Sequence, residues 1–172
     1  LERETRLRVA QVVQDSVVDG PGLRLAVFAQ GCPHRCEGCH NPQTHDPAGG
    51  YETTVGDVAG MARANPLLSG VTLTGGEPFA QAGPFAGLAR AVKAPGLTVW
   101  VYSGWTFEDL RERDGARSLL EACDVLVDGP FILSQKSYGA LYRGSRNQRL
   151  IDLPVSLREG RAILWEPPKD IV

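Results

Sequence analysis

Short apolar runs that each stop at a glycine-bearing polar pair constrain this chain most. Val71 to Thr74 stops at Gly75-Gly76, Thr98 to Tyr102 at Ser103-Gly104, and Val125 to Val127 at Asp128-Gly129. Between these runs the spacing turns helical. Ala82 to Val92 places Phe85, Leu88, Ala89 and Val92 on one stripe, and Thr106 to Arg113 and Ala116 to Ala122 read as further helical pieces. Strands that alternate with helices in this way make a mainly parallel sheet with crossover connections. In such folds the loops after the C-terminal strand ends line one face, and ligands bind there. Several polar loops are therefore expected to meet at one mouth.

The beginning and end of the chain fit this plan less closely. Leu7 to Val13 and Leu23 to Ala29 read as two strands, separated by a turn at Asp19-Gly20-Pro21-Gly22 that calls for φ > 0 at a glycine. Arg24 opens the second strand and is expected to face either a carboxylate or solvent. Thr54 to Ala64 has helical spacing, with Val55, Val58, Ala59 and Ala62 on one face and Thr53, Thr54 or Asp57 available near its start. Arg149 to Trp165 is less regular and is expected to supply a final strand pair. No repeat or linker divides the chain. It reads as a single domain over 1–172, with a core at about 7–130 and a tail at 131–172. At 172 residues it is long enough to bury a sizeable core. It is too short for a complete eight-stranded (βα) barrel of about 250 residues. A partial (βα) barrel of the α/β class is the expected architecture.

The loop after the second strand carries the chemistry. Residues 31–42 read GCPHRCEGCHNP and hold three of the four cysteines, Cys32, Cys36 and Cys39. Three thiolates at C-x3-C-x2-C spacing can hold three corners of an iron–sulfur cube and leave one iron open. Electron-transfer clusters are normally closed by four cysteines, and an open metal position is where a substrate can bind. The rival is a structural zinc site made of the three thiolates and His34, His40 or His45. No second cysteine pair supports it, and a domain of this size needs no metal to complete its core. His34 and His40 border the loop, and His45 is expected on a surface loop. Cys123 lies apart in apolar surroundings and reads as a small buried hydrophobe at a helix end. So few paired cysteines suit a reducing, cytoplasmic setting rather than a disulfide framework.

Charge and hydropathy exclude other classes. A net charge of −2 gives no bulk reason to expect direct nucleic-acid binding or an anionic membrane. No apolar run nears the roughly 20 residues that cross a bilayer, and the first residues lack the apolar core of a secretory signal. Among the remaining motifs, Gly75-Gly76 would let a ligand approach the backbone, and Glu77 beside them would accept from a cationic amine. Ser103 and Asp128 either cap the next helix or contact ribose hydroxyls or an amino-acid moiety. Arg143 to Arg149 is either a solvated loop or a docking loop whose arginines suit carboxylates or phosphates.

The three-cysteine loop, followed by a strand-end Gly75-Gly76-Glu77-Pro78, resembles the radical S-adenosylmethionine superfamily. Asp19 to Arg24, Phe28 to Cys32 and Cys39 to Pro42 resemble its glycyl-radical-enzyme activating branch. Asp124 to Phe131 and Tyr142 to Gln148 are similar to the members that serve anaerobic ribonucleoside-triphosphate reductase. Many superfamily members carry an aromatic residue where this chain has Gly38, and the reductase activators tolerate glycine there. His40-Asn41-Pro42 resembles the formate-lyase activators more.

The resemblance implies a [4Fe–4S] cluster on Cys32, Cys36 and Cys39, with S-adenosylmethionine on the open iron. Gly75, Gly76 and Glu77 would contact the cofactor's amino-acid part, and Gly38, Cys39 and His40 would lie near its adenine. Ser103 would stand at the ribose and Asp128 near the methionine end. The implied reaction is reductive cleavage to methionine and a 5′-deoxyadenosyl radical, which takes hydrogen from a glycine of a partner glycyl radical enzyme. No general base is required. A flavodoxin- or ferredoxin-type donor would supply the electron. The alternatives are an activator of a formate-lyase-like enzyme, a short radical enzyme acting on a small molecule such as a carboxy-deazaguanine synthase, and a non-catalytic electron carrier.

Overall fold

The chain's continuous apolar runs become the centre of a seven-stranded sheet. The computed structural model describes residues 2–94 and 96–168, so the ends of the 1–172 span and residue 95 lie outside it. Strands β1 (Arg6–Ser16), β2 (Arg24–Ala29), β3 (Tyr51–Thr54), β4 (Gly70–Gly75), β5 (Thr98–Tyr102), β6 (Val125–Asp128) and β7 (Arg149–Asp152) lie in the order β3-β1-β2-β4-β5-β6-β7. The four central strands, β2, β4, β5 and β6, are parallel. The β3–β1, β1–β2 and β6–β7 pairs are antiparallel. The parallel strands are almost wholly buried, which is why they read as unbroken apolar runs.

Side-chain alternation gives the sheet two different faces. Leu25, Val27, Val71, Leu73, Val99, Val101 and Leu126 enter one core with the helices α1 (Val55–Arg63), α2 (Ala82–Val92), α3 (Phe107–Glu112), α4 (Arg117–Ala122) and α5 (Leu153–Glu159). The expected stripe of α2, Phe85, Leu88, Ala89 and Val92, is buried there. Thr54 caps α1 by accepting from the Asp57 N–H at 3.2 Å. Cys123 is 1% exposed where α4 ends, and burial holds its thiol well above its usual range. The opposite face carries a smaller cluster of Trp100, Val125 and Val127, with Tyr102, Tyr142, Leu150 and Trp165 packed against it.

Arg24 departs from both expectations. It is fully buried on that second face and meets neither a carboxylate nor solvent. Its guanidinium donates to Thr72 Oγ1 (2.8 Å), Thr98 Oγ1 (3.0 Å) and the carbonyls of Pro21 (3.1 Å), Val71 (3.1 Å) and Thr98 (2.7 Å). The Trp100 ring lies against it, 5.7 Å from the guanidinium carbon to the ring centroid. Burial pulls its pKa down to about 10, which leaves it charged at neutral pH. Arg24 thus joins the turn at residues 19–22 to the first residues of β4 and β5. The turn has its expected positive φ at Gly20 and Gly22.

Two further differences lie at the sheet's edges. β3 was not expected, and its Tyr51, Glu52, Thr53 and Thr54 are only partly covered because they form an edge on β1. After β7 the chain forms α5 instead of a second strand. Asp152 caps α5 by accepting from the Val155 N–H at 3.1 Å, Pro154 sits in its first turn, and Gly160 closes it at φ 76°. Only an isolated bridge between Ile151 and Leu164 remains of the strand pair. Among the described residues, no helix is long and apolar enough to cross a membrane.

Candidate functional site

The cysteine loop leaves β2 and is held mainly by backbone bonds. Gly31 N–H donates to Thr44 O at 2.7 Å, and Cys32 N–H to His45 O at 3.2 Å. The Gln30 amide reaches the carbonyls of Gln43 (3.1 Å) and Asp46 (2.6 Å). Two backbone bonds tie the next strand-end loop to this one. Gly76 N–H donates to Ala29 O and Glu77 N–H to Gly31 O, each at 2.8 Å. Such close contact requires glycines. A Cβ on Gly75, which has φ +90°, would stand 2.6 Å from Phe28 Cα, and one on Gly76 would stand 2.4 Å from Gly31 O. Gly76→Ala is therefore expected to push the two loops apart at a cost of about 1–3 kcal/mol. A thermal melt should show Tm lowered by roughly 5 °C; an unchanged Tm would mean that the loops are not so tightly joined.

A cavity of about 640 Å³ opens above these strand ends. Cys32, Cys36 and Cys39 all line it, each partly exposed. His34, His40, Gly75, Gly76, Ser103 and Gly104 line it too. The loop bends sharply enough for Arg35 to take φ 51° and Gly38 φ +75°. Cys39 Sγ accepts from the Asn41 N–H at 3.4 Å. Burial raises the pKa of Cys32, and backbone N–H groups of His34 and Arg35 oppose the rise. Among the described residues, no three His, Cys, Asp or Glu side chains converge on one single-ion position. Three thiols spread around a roomy cavity suit a cluster, where each iron takes one cysteine. The donor set therefore fits an iron–sulfur group.

The carboxylates sit elsewhere than expected. Glu77 is fully buried and does not line the cavity. Its Oε1 accepts from His34 Nε2 (2.6 Å), Ser103 Oγ (2.9 Å) and Gly104 N–H (2.8 Å), and its Oε2 from Phe79 N–H (3.1 Å). Asp128 is 1% exposed and also lies behind the wall. It accepts from the Phe107 N–H at the start of α3 (2.8 Å) and from the Arg149 backbone and guanidinium (3.3, 3.1 and 2.5 Å). Asp128 thus bonds the first N–H of the earlier helix α3, whose own N-cap is Thr106, and does not cap the α-helix that follows it, α5, where Asp152 serves. Asp128 and Glu108 together hold Arg149 above its already high range, and Arg149 holds Glu108 below the usual carboxylate range. His45 is half-buried rather than on the surface, and its Nε2 is buried with no partner among the described residues.

The basic loop divides. Arg143, Gly144 and Gln148 line the cavity, Ser145 is buried, and Arg149 is held by Asp128. The sequence reading missed the rest of this wall. Phe131, the stretch from Lys136 to Tyr142, and Val17, Val18 and Asp19 also line the cavity. Four large apolar side chains of this lining, Val17, Val18, Tyr138 and Leu141, are exposed, beside the charged Asp19, Lys136 and Arg143. The available signal was the spacing of Phe131, Leu133, Tyr138, Leu141 and Tyr142 among small polar residues, which matches neither helix nor strand periodicity.

Residues 18–151 match the family model of the 4Fe-4S single cluster domain, a span that includes the cysteine loop and every strand of the parallel centre. The chain is 35% identical over 139 residues to the anaerobic ribonucleoside-triphosphate reductase-activating protein of Enterobacteria phage T4, covering 77% of this chain and 86% of that one. It is 37% identical over 140 residues to the protein of the same name from Vibrio cholerae serotype O1, covering 77% and 89%. The Haemophilus influenzae protein of that name is 31% identical over 149 residues, covering 80% and 93%. A crystal structure of QueE from Escherichia coli aligns at a TM-score of 0.48 and 17% identity, over 59% of this chain and 54% of that one, too loosely to carry weight. The chain belongs to the 4Fe-4S single cluster domain family. It belongs also to the family of anaerobic ribonucleoside-triphosphate reductase-activating proteins.

Proposed function

We propose that this chain is a radical S-adenosylmethionine enzyme that activates an anaerobic ribonucleoside-triphosphate reductase. One observation carries the reading: three cysteines and two strand-end glycine loops share one cavity at the C-terminal ends of parallel strands. Cys32, Cys36 and Cys39 hold a [4Fe–4S] cluster. Gly75, Gly76, Ser103 and Gly104 offer backbone and hydroxyl surface to S-adenosylmethionine, and Gly38 and His40 flank it on the side of the cysteine loop. Glu77 acts from behind the wall by holding the Ser103 hydroxyl and the Gly104 N–H, and Asp128 ties the start of α3 to Arg149 of β7. When bound, the cluster and cofactor supply one-electron cleavage to methionine and a 5′-deoxyadenosyl radical, which takes hydrogen from a glycine of the reductase.

The chain's own work is binding, orientation and exclusion of competing reactions. No side chain need move a proton. The sheet ends in the edge strands β3 and β7 among the described residues, and we read it as a partial (βα) barrel whose open side admits a protein loop. The exposed Val17, Val18, Tyr138 and Leu141 at the cavity favour a protein partner over a small polar substrate. The names of the relatives favour the reductase over a formate-lyase-like enzyme. The electron donor is of flavodoxin or ferredoxin type, and the setting is the reducing cytoplasm.

The test is to incubate the anaerobically reconstituted protein with S-adenosylmethionine, dithionite and a purified anaerobic reductase. Release of 5′-deoxyadenosine and methionine, together with a glycyl-radical signal on the reductase, is the expected result. Cleavage products without that signal, or none at all, would count against the reading.

A further inference from the structure

A short side-chain bond between the cysteine loop and the strand-end loops is made by His34, which lies between two of the cysteines. Its Nε2 stands 2.6 Å from Glu77 Oε1, with Glu77 fully buried and the His34 side chain 15% exposed. A carboxylate can only accept, so His34 Nε2 carries the hydrogen. The imidazole is fixed from other sides as well. It meets the Trp105 ring edge-on, with centroids 4.5 Å apart and planes at 73°. The Arg113 guanidinium lies 3.8 Å from the Trp105 ring centroid. Gly104 leaves room for the imidazole, since a Cβ at 104 would stand 2.5–2.7 Å from its ring atoms. Glu77 in turn holds Ser103 Oγ and the Gly104 N–H, both on the cavity wall.

We infer that His34 is a positioning residue: through Glu77 it fixes the Gly75–Gly76 and Ser103–Gly104 walls relative to the cysteine loop, and so sets the cofactor's seat against the cluster. This rests on the proposed function for the identity of the cofactor. The bond itself does not depend on that reading. Glu77 reaches the cysteine loop by its own N–H and by His34, and only the His34 bond ends on the stretch between the thiols. Losing it leaves a buried carboxylate one donor short and frees the cysteine loop to shift against the floor.

His34→Ala, His34→Gln and Gly104→Ala in the cluster-loaded protein test this. Glutamine keeps an N–H donor at similar reach, and Gly104→Ala displaces the imidazole without altering it. The first readout is iron content and absorbance near 400 nm, expected unchanged in all three. The second, taken without S-adenosylmethionine, is amide hydrogen exchange. The Gly104 N–H is expected to exchange about tenfold faster in His34→Ala and Gly104→Ala, while Val101 in β5 stays as in the parent. The third is the dissociation constant for S-adenosylmethionine, expected to rise about tenfold in those two variants and to stay within about threefold in His34→Gln.

Unchanged exchange at Gly104, unchanged affinity in His34→Ala, or failure of His34→Gln to restore affinity would each overturn the inference. Loss of iron in His34→Ala would do so too, by making His34 part of cluster binding. If the parent itself binds no S-adenosylmethionine, the proposed function fails, and the exchange data still decide whether His34 braces the wall.

Discussion

Single replacement of Cys32, Cys36 or Cys39 with alanine is expected to abolish cleavage of S-adenosylmethionine. Each cysteine lines the cavity and no fourth cysteine can substitute, because Cys123 is buried in the helix-side core. A cube left with two protein ligands exposes two irons and is easily lost, so absorbance near 400 nm should fall with activity. The fold should survive, since the three thiols are only partly buried and a 172-residue domain draws its stability from the sheet and helices. Far-ultraviolet circular dichroism of each variant should match the parent. A variant that keeps both the chromophore and cleavage would remove that cysteine from the site.

Arg24→Met is expected to cost about 3–5 kcal/mol of stability. The substitution preserves much of the aliphatic volume and removes every donor. Two hydroxyls and three carbonyls lose the guanidinium, and the Thr72 hydroxyl and Val71 carbonyl among them lose it in a fully buried place. Arg24→Lys should recover only part of the loss, because one ammonium cannot span partners on the turn, β4 and β5 together. Denaturant unfolding measures this directly, as a lower midpoint at unchanged slope. A loss below about 1 kcal/mol would mean that the five acceptors find other donors. The effect should reach the site as well, since the turn that Arg24 holds carries Asp19 next to Val17 and Val18 on the cavity rim.

Much of the fold could be read from the sequence wherever one local rule decided the outcome. β5 and α2 have the bounds that apolar runs and helical spacing indicate. Gly20 and Gly22 turn where a positive φ was needed. α5 was missed although Asp152, Pro154 and Gly160 mark its ends, because Leu150 and Ile151 before it are strand-like and the helix is only seven residues long. β3 has no apolar face of its own, and only pairing with β1 defines it.

The site divides in the same way. The cysteines and the glycine pair stand out because their spacing within one loop is the signal. The seats of Glu77, Asp128 and Arg24 depend on partners 21 to 74 residues away, such as His34, Arg149 and Thr98. Polar residues at strand ends look alike whether they face a ligand or the protein. In this chain the two carboxylates are enclosed by protein donors, and the glycines and thiols face the cavity.

The most direct test of the central claim is electron paramagnetic resonance of the anaerobically reconstituted, dithionite-reduced protein, recorded with and without S-adenosylmethionine. The account predicts a reduced [4Fe–4S] signal whose shape changes when the cofactor is added, because one iron is open to it. A cluster signal indifferent to the cofactor, or no cluster at all despite ample iron and sulfide, would contradict it.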